Sequence, residues 1–91
     1  MYKKIDIKKT LELQKEGAIV IDVRNLSEYK IKHINGAINV PLDKIVNILD
    51  IVKDKNKTLI VYCQTGKRSY KACNSLLSLG YNNVYDLGNF N

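Results

Sequence analysis

Apolar and polar positions along the chain switch repeatedly between a period of two and a period near 3.6. Lys3 to Ile5 reads as a short strand. Asp6 is placed to cap a helix running to about Glu16, and Gly17 sits where a helix stop belongs. Ala18 to Val23 is a nearly continuous β-branched run, the signature of a strand covered on both faces. Ser27 to Lys32 predicts a short helix with Ser27 as its cap. A turn at Asn35-Gly36 follows, then a short strand from Ala37 to Val40. Pro41 and Leu42 open a predicted helix to about Val52, with Ile45, Leu49 and Val52 on one face. Asp54 to Lys57 is a polar turn, Thr58 to Tyr62 a second buried strand, Ser69 to Leu79 a helix ended by Gly80, and Val84 to Leu87 a last strand.

This alternation of strand and helix predicts an α/β domain with a mostly parallel sheet. The 91 residues are enough for one small domain, and no linker, repeat or low-complexity segment divides them. A mean hydropathy of −0.23 fits a soluble globular chain. No apolar run approaches the roughly 20 residues that span a bilayer, and the charged stretch from Met1 to Thr10 has no apolar core of a secretory signal. Two cysteines are too few for a disulfide scaffold or a structural zinc site, so a cytoplasmic setting is expected.

The net charge of +6 raises the question of nucleic acid. Only two of the basic residues are arginines, Arg24 and Arg68, and the lysines are spread along the whole chain. A groove reader concentrates Arg on one face, so neither nucleic acid nor membrane is an expected partner. A basic surface does concentrate small anions.

Chemistry gathers at Tyr62-Cys63-Gln64-Thr65-Gly66-Lys67-Arg68-Ser69, between a buried strand and a helix. Open parallel sheets bind ligands at the carboxyl ends of their strands. There the loop amides can converge into an anion-binding nest, with the N-terminus of the next helix aimed at the same place. Holding a thiolate at neutral pH requires roughly 2.7 kcal/mol of preference for the charged form. A helix N-terminus offers ~0.3–1 kcal/mol, so hydrogen bonds from the loop amides, with Lys67 or Arg68, must supply the rest. Gly66 lets the backbone turn where a side chain would block those amides.

These segments, together with Val20-Ile21-Asp22-Val23-Arg24, Glu28-Tyr29, His33 to Pro41, and Gly80-Tyr81 with Val84 and Leu87, resemble the single-domain rhodaneses, the thiosulfate sulfurtransferase family, over nearly the whole chain. The resemblance implies one domain over residues 1–91, a rhodanese-like three-layer sandwich with a five-stranded, mostly parallel sheet flanked by helices. It also implies a ping-pong reaction in which Cys63 takes a sulfane sulfur from a donor such as thiosulfate and passes it to a nucleophilic acceptor. Loop length separates this from the nearest alternative. Cys63 to Arg68 is Cys-x4-Arg, whereas Cys-based phosphatases use Cys-x5-Arg, and one residue is up to ~3.5 Å of chain.

The implied site is Cys63 as sulfur carrier, with Gln64, Thr65, Gly66, Lys67, Arg68 and Ser69 binding substrate and Asp22, Arg24 and Glu28 supporting the loop. Gln64 and Thr65 are expected to contribute backbone amides, Lys67 a cation at the mouth, and Ser69 a helix cap. Arg68 has two open readings: it binds the anionic donor, or it braces the loop through Asp22 or Glu28. His33 reads as structural, Cys73 as packing. No metal-ligand spacing or nucleotide fingerprint is present, so neither cofactor nor metal is expected. Expected partners are a small anionic donor and, as acceptor, a small nucleophile or a protein thiol. Two alternatives to the enzyme stand beside it, a protein-to-protein persulfide carrier and a non-catalytic interaction module. The molecule is expected to be a monomer or weak dimer. The family continues past its last strand into a segment containing Trp. Here the chain reads Leu87-Gly88-Asn89-Phe90-Asn91. Either that element is missing from this sequence, or Phe90 takes over its packing.

Overall fold

The structure, a computed structural model, describes residues 1–90. Its elements in chain order are β1 (Lys3–Lys4), α1 (Ile7–Lys15), β2 (Ile19–Asp22), α2 (Leu26–Ile31), β3 (Ile38–Asn39), a 3-10 helix (Leu42–Asn47), α3 (Ile48–Ile51), β4 (Thr58–Cys63), α4 (Lys67–Ser78) and β5 (Asn83–Asn89). The five strands form one sheet in the order β1-β5-β4-β2-β3, and every pairing is parallel. Parallel neighbours need crossover connections, which the interleaved helices provide.

Side-chain alternation divides the core between the two faces of the sheet. From β4, Leu59, Val61 and Cys63 join Ile48 of α3 and Ala72, Cys73 and Leu76 of α4 on one face. Ile60 and Tyr62 point the other way, toward Leu13 of α1 and Tyr29 of α2. Burial on both faces is why β2 and β4 read as unbroken apolar runs.

Several boundaries follow from local chemistry. The Asp6 side chain accepts from Lys9 N–H at 2.8 Å and starts α1, and Gly17 takes φ +103° beyond its end. The cap of α2 is Asn25 rather than Ser27. Asn25 accepts from the Glu28 N–H, while the Glu28 carboxylate accepts from the Asn25 N–H, a reciprocal capping box. The predicted helix from Leu42 to Val52 is broken: a 3-10 segment, irregular at Lys44 (φ −120°, ψ 20°), precedes the single turn of α3. Five of those eleven residues are β-branched, and such side chains lose χ1 freedom in an α-helix. The Tyr81 hydroxyl lies 3.1 Å from the Ile48 carbonyl and 2.6 Å from that of Val52, within donating distance of both at the end of α3.

The ends near Cys63 also differ from the sequence pattern. Helix α4 begins at Lys67, ahead of Ser69, because Gly66 turns the chain at φ +98° and serves as the N-cap. Strand β5 runs on to Asn89, with a bulge that pairs Val61 with Asp86 but Tyr62 with Gly88. The shift brings Asn89 opposite Cys63, and Phe90 N–H donates to the Cys63 carbonyl at 2.9 Å.

Candidate active site

Cys63 is the last residue of β4 and is fully buried. The chain then folds back over its sulfur. Gly66 N–H donates to Sγ at 3.0 Å and Ser69 N–H at 3.3 Å. Both donors belong to the start of α4, so the positive end of a twelve-residue helix faces the sulfur. Two backbone N–H donors thus converge on one sulfur, with the head of α4 behind them.

The loop residues divide differently from the expectation. Among the described residues, the amides that reach Sγ are those of Gly66 and Ser69, not those of Gln64 and Thr65, whose side chains are exposed. Ser69 does not cap α4. Its hydroxyl donates to the Gly66 carbonyl at 3.1 Å and closes the turn that aims both amides. Lys67 is exposed on the first turn of the helix. A Cβ built on Gly66 would meet nothing within 4 Å, so the loop is open on that side.

Arg68 engages Glu28. Its two terminal nitrogens donate to the two carboxylate oxygens at 2.7 and 3.0 Å, a fork that ties the first turn of α4 to α2. The guanidinium holds the Glu28 carboxyl below its ordinary range, and Glu28 in turn raises Arg68.

Asp22 is committed elsewhere. Its buried carboxylate accepts from the Arg24 backbone N–H at 2.9 Å, from Nε at 3.0 Å and from Nη2 at 2.7 Å. It also accepts from the Tyr62 hydroxyl at 2.7 Å. That hydroxyl accepts the Ile34 N–H at 3.1 Å, and Arg24 Nη2 donates to the Lys32 carbonyl at 2.6 Å. Burial pushes the Tyr62 phenol well above its usual range, so it stays a donor. The network fastens the ends of β2 and β4 and the chain after α2 into one unit directly before Cys63. The Arg24 guanidinium also lies over the rings of Tyr62 and Phe90, 5.5 and 5.1 Å from their centroids. Phe90 packs on Tyr62 at 5.0 Å; Asn91 lies outside the described residues.

His33 is exposed, with Nδ1 2.8 Å from the Tyr29 carbonyl and its ring stacked on Tyr29 at 3.8 Å. Cys73 is fully buried within α4, and burial is the main cause that pushes its thiol far above the ordinary range. The sequence reading assigned no role to the Tyr62 side chain, although Tyr62 opens the segment that it singled out, and none to Asp86 within the predicted last strand; a polar group inside a buried strand is the signal that both carried.

A cleft opens beside the loop, lined by Thr65, Gly66, Lys67, Tyr70, Asp86 and Gly88 among others. Two shallower depressions flank the loop, one reaching Arg68 beside Pro41, the other Gln64 beside Arg24 and Phe90.

Residues 6–89 match the rhodanese-like domain. The chain is 42% identical over 69 residues to thiosulfate sulfurtransferase PspE of Escherichia coli, covering 75% of this chain and 66% of that protein. It is 38% identical over 80 residues to the tRNA uridine(34) hydroxylase of Buchnera aphidicola, covering 82% of this chain but only 26% of that longer protein. A solved rhodanese with anions from E. coli superposes with a TM-score of 0.75 at 39% identity, over 79% of this chain and 87% of that one. With 84 of its 91 residues inside the matched region and the Cys63 loop at the head of a five-stranded parallel sheet, the chain belongs to the rhodanese-like domain family.

Proposed function

We propose that this chain is a sulfurtransferase that carries a sulfane sulfur as a persulfide on Cys63. The observation that carries this reading is the pair of N–H donors on Sγ, from Gly66 at 3.0 Å and Ser69 at 3.3 Å. They form a fixed set of dipoles around a sulfur that must be an anion both when it attacks and when it leaves. The relative named thiosulfate sulfurtransferase supports the same reading.

With thiosulfate as donor, the Cys63 thiolate attacks the outer, sulfane sulfur. A Cys63 S–S bond forms, the S–S bond of thiosulfate breaks, and sulfite leaves with the electron pair. In the second half, a nucleophile such as cyanide attacks the terminal sulfur of the persulfide. Thiocyanate leaves, and the Cys63 thiolate returns to its two amides. No outside oxidant or reductant is needed, because each half exchanges one sulfur–sulfur bond for another bond to the same sulfane atom. Lys67, exposed at the head of α4, offers a cation to the dianionic donor, while Arg68 keeps the loop in register through Glu28.

The test is intact-mass spectrometry before and after incubation with thiosulfate, then with cyanide. A gain of about 32 Da, one sulfur on the thiol, mapped to Cys63 and removed by cyanide, supports the proposal. Loading from a protein persulfide but not from thiosulfate would make the chain a protein-to-protein carrier. No loading from either would overturn sulfur transfer and leave an interaction module.

A further inference from the structure

Strand β5 does not keep its alternation to the end. Val84 packs on the α4 face of the sheet, while Tyr85 and Leu87 pack with Tyr62 on the other. Strict alternation would carry Asn89 to the Tyr62 face and turn Phe90 away from it. Instead Phe90 packs there, three residues after Leu87, and Asn89 is exposed. The bulge that steps the pairing from Val61–Asp86 to Tyr62–Gly88 supplies the extra residue, and Gly88 at φ +84° carries the turn. In the unshifted register Gly88, not Asn89, would face Cys63. Bulges beside functional sites re-aim side chains in this way.

The re-aimed residue reaches Cys63 through the main chain. Phe90 N–H donates to the Cys63 carbonyl at 2.9 Å. Its ring lies 5.0 Å from that of Tyr62, the residue before Cys63, and beside two cations, Arg24 at 5.1 Å and Lys32 at 5.9 Å from its centroid. Arg24 is itself held by the buried Asp22 carboxylate. These contacts fix the ring, and with it the N–H on the Cys63 carbonyl. That carbonyl belongs to the first peptide of the loop. Its plane sets the direction in which Gln64 leaves the sheet, and so where the Gly66 and Ser69 amides come to rest on Sγ.

We propose that Phe90 is a positioning residue for Cys63, re-aimed by the bulge at Gly88 so that its ring and its N–H together fix the start of the loop. The inference rests on the reading of Cys63 as the sulfur-carrying nucleophile. Phe90 acts through the Cys63 carbonyl and does none of the sulfur chemistry itself. Leu13 of α1 packs in the same cluster with Tyr62 and has no bond to Cys63, so it separates positioning from packing.

The experiment compares wild type, Phe90→Ala, Phe90→Tyr and Leu13→Ala well below their unfolding transitions. Hydrogen exchange of the Gly66 and Ser69 amides is read by NMR, and sulfur loading from thiosulfate by mass. In Phe90→Ala both amides are expected to exchange about tenfold faster, the mark of local opening. Loading is expected to slow by about tenfold, within the loss that a small misplacement of a reacting group brings. Phe90→Tyr keeps the ring and is expected to restore both. Leu13→Ala is expected to lower the urea midpoint and leave both near wild type. Unchanged amides in Phe90→Ala, loosened amides with unchanged loading, or the same losses in Leu13→Ala would overturn the positioning role. Failure of thiosulfate to load the wild type would count against that donor alone, and the amide exchange would still decide for or against Phe90. Should Phe90→Ala not fold, Gly88→Ala replaces it. Its methyl meets only Asp86 Oδ1, at 4.0 Å, but must adopt a left-handed backbone. It is expected to undo the bulge and loosen the same two amides, and amides as protected as in wild type would overturn the proposal.

Discussion

Arg68 and Glu28 are forty residues apart in sequence and meet as a two-point fork, nitrogen to oxygen at 2.7 and 3.0 Å. The contact decides between two roles for the arginine. A guanidinium with both terminal nitrogens on a carboxylate braces the loop against α2, while Lys67 next to it is exposed.

The fork makes a double-mutant prediction. Arg68→Lys keeps the charge but cannot present two parallel donors. Glu28→Gln removes the anion and keeps the shape. Each is expected to lower turnover, and the double variant to lose little more than either single one, because both break the same contact. The stability contribution of this half-exposed pair is about 1 kcal/mol or less. It depends on pH in a defined direction. Arg68 depresses the Glu28 carboxyl, so the native state holds that proton more weakly than the unfolded chain. The stabilisation is therefore present above the ordinary glutamate range and lost as pH falls through the lowered native value. Urea midpoints of wild type and Glu28→Gln should differ at neutral pH and converge below about pH 4, near the ordinary glutamate value.

Asp22 carries a larger share of stability than of chemistry. Its removal in Asp22→Ala leaves the buried Arg24 guanidinium without its anion and the Tyr62 hydroxyl without its acceptor. Breaking a buried pair this way costs about 3–5 kcal/mol, a large fraction of the ~5–15 kcal/mol that holds a domain together. Tyr62→Phe is expected to cost about 1–3 kcal/mol, because it strands the Ile34 N–H as well as one Asp22 contact. Urea unfolding of the two variants should rank them in that order.

Gly66 separates backbone strain from steric exclusion. A methyl group at this position has open space, yet φ is +98°. Gly66→Ala should fold with a penalty of about 1–2 kcal/mol, the cost of a left-handed conformation for an L-residue. Because its N–H is one of the two on Sγ, sulfur loading should fall by more than that stability loss explains. Comparing loading rates well below the unfolding transition isolates the catalytic share.

The two cysteines should separate cleanly. Cys63→Ser is expected to abolish sulfur loading. Cys73→Ser should leave most of it, since the buried Cys73 thiol stays protonated at neutral pH and donates to the Tyr85 carbonyl at 3.8 Å. Equal loss in both variants would instead indicate a dithiol mechanism. Mass mapping of the loaded protein provides the second check.

Much of this architecture was legible in the chain itself, for local reasons. The doubly apolar runs at Ile19–Asp22 and Thr58–Cys63 marked the central strands, and Asp6 and Gly17 marked the limits of α1. The glycine within the segment from Cys63 to Arg68 marked the tight loop between β4 and α4, because such a turn between strand and helix demands a residue of that kind whatever surrounds it. The cap of α2 was misplaced, since Ser27 and Asn25 are equally plausible caps until the Glu28 side chain is seen returning to the Asn25 N–H. The long helix after Pro41 was likewise misread, because its apolar period survives a 3-10 segment almost unchanged. What the tertiary structure alone decided is pairing. Asp22 takes Arg24 and Tyr62, Glu28 takes Arg68, the Gly66 and Ser69 amides take the sulfur, and one buried oxygen of Asp86 is left without a partner among the described residues. Periodicity reports which face a residue occupies, but charges and donors choose partners by distance across the sheet, and that distance exists only once the strands are in register.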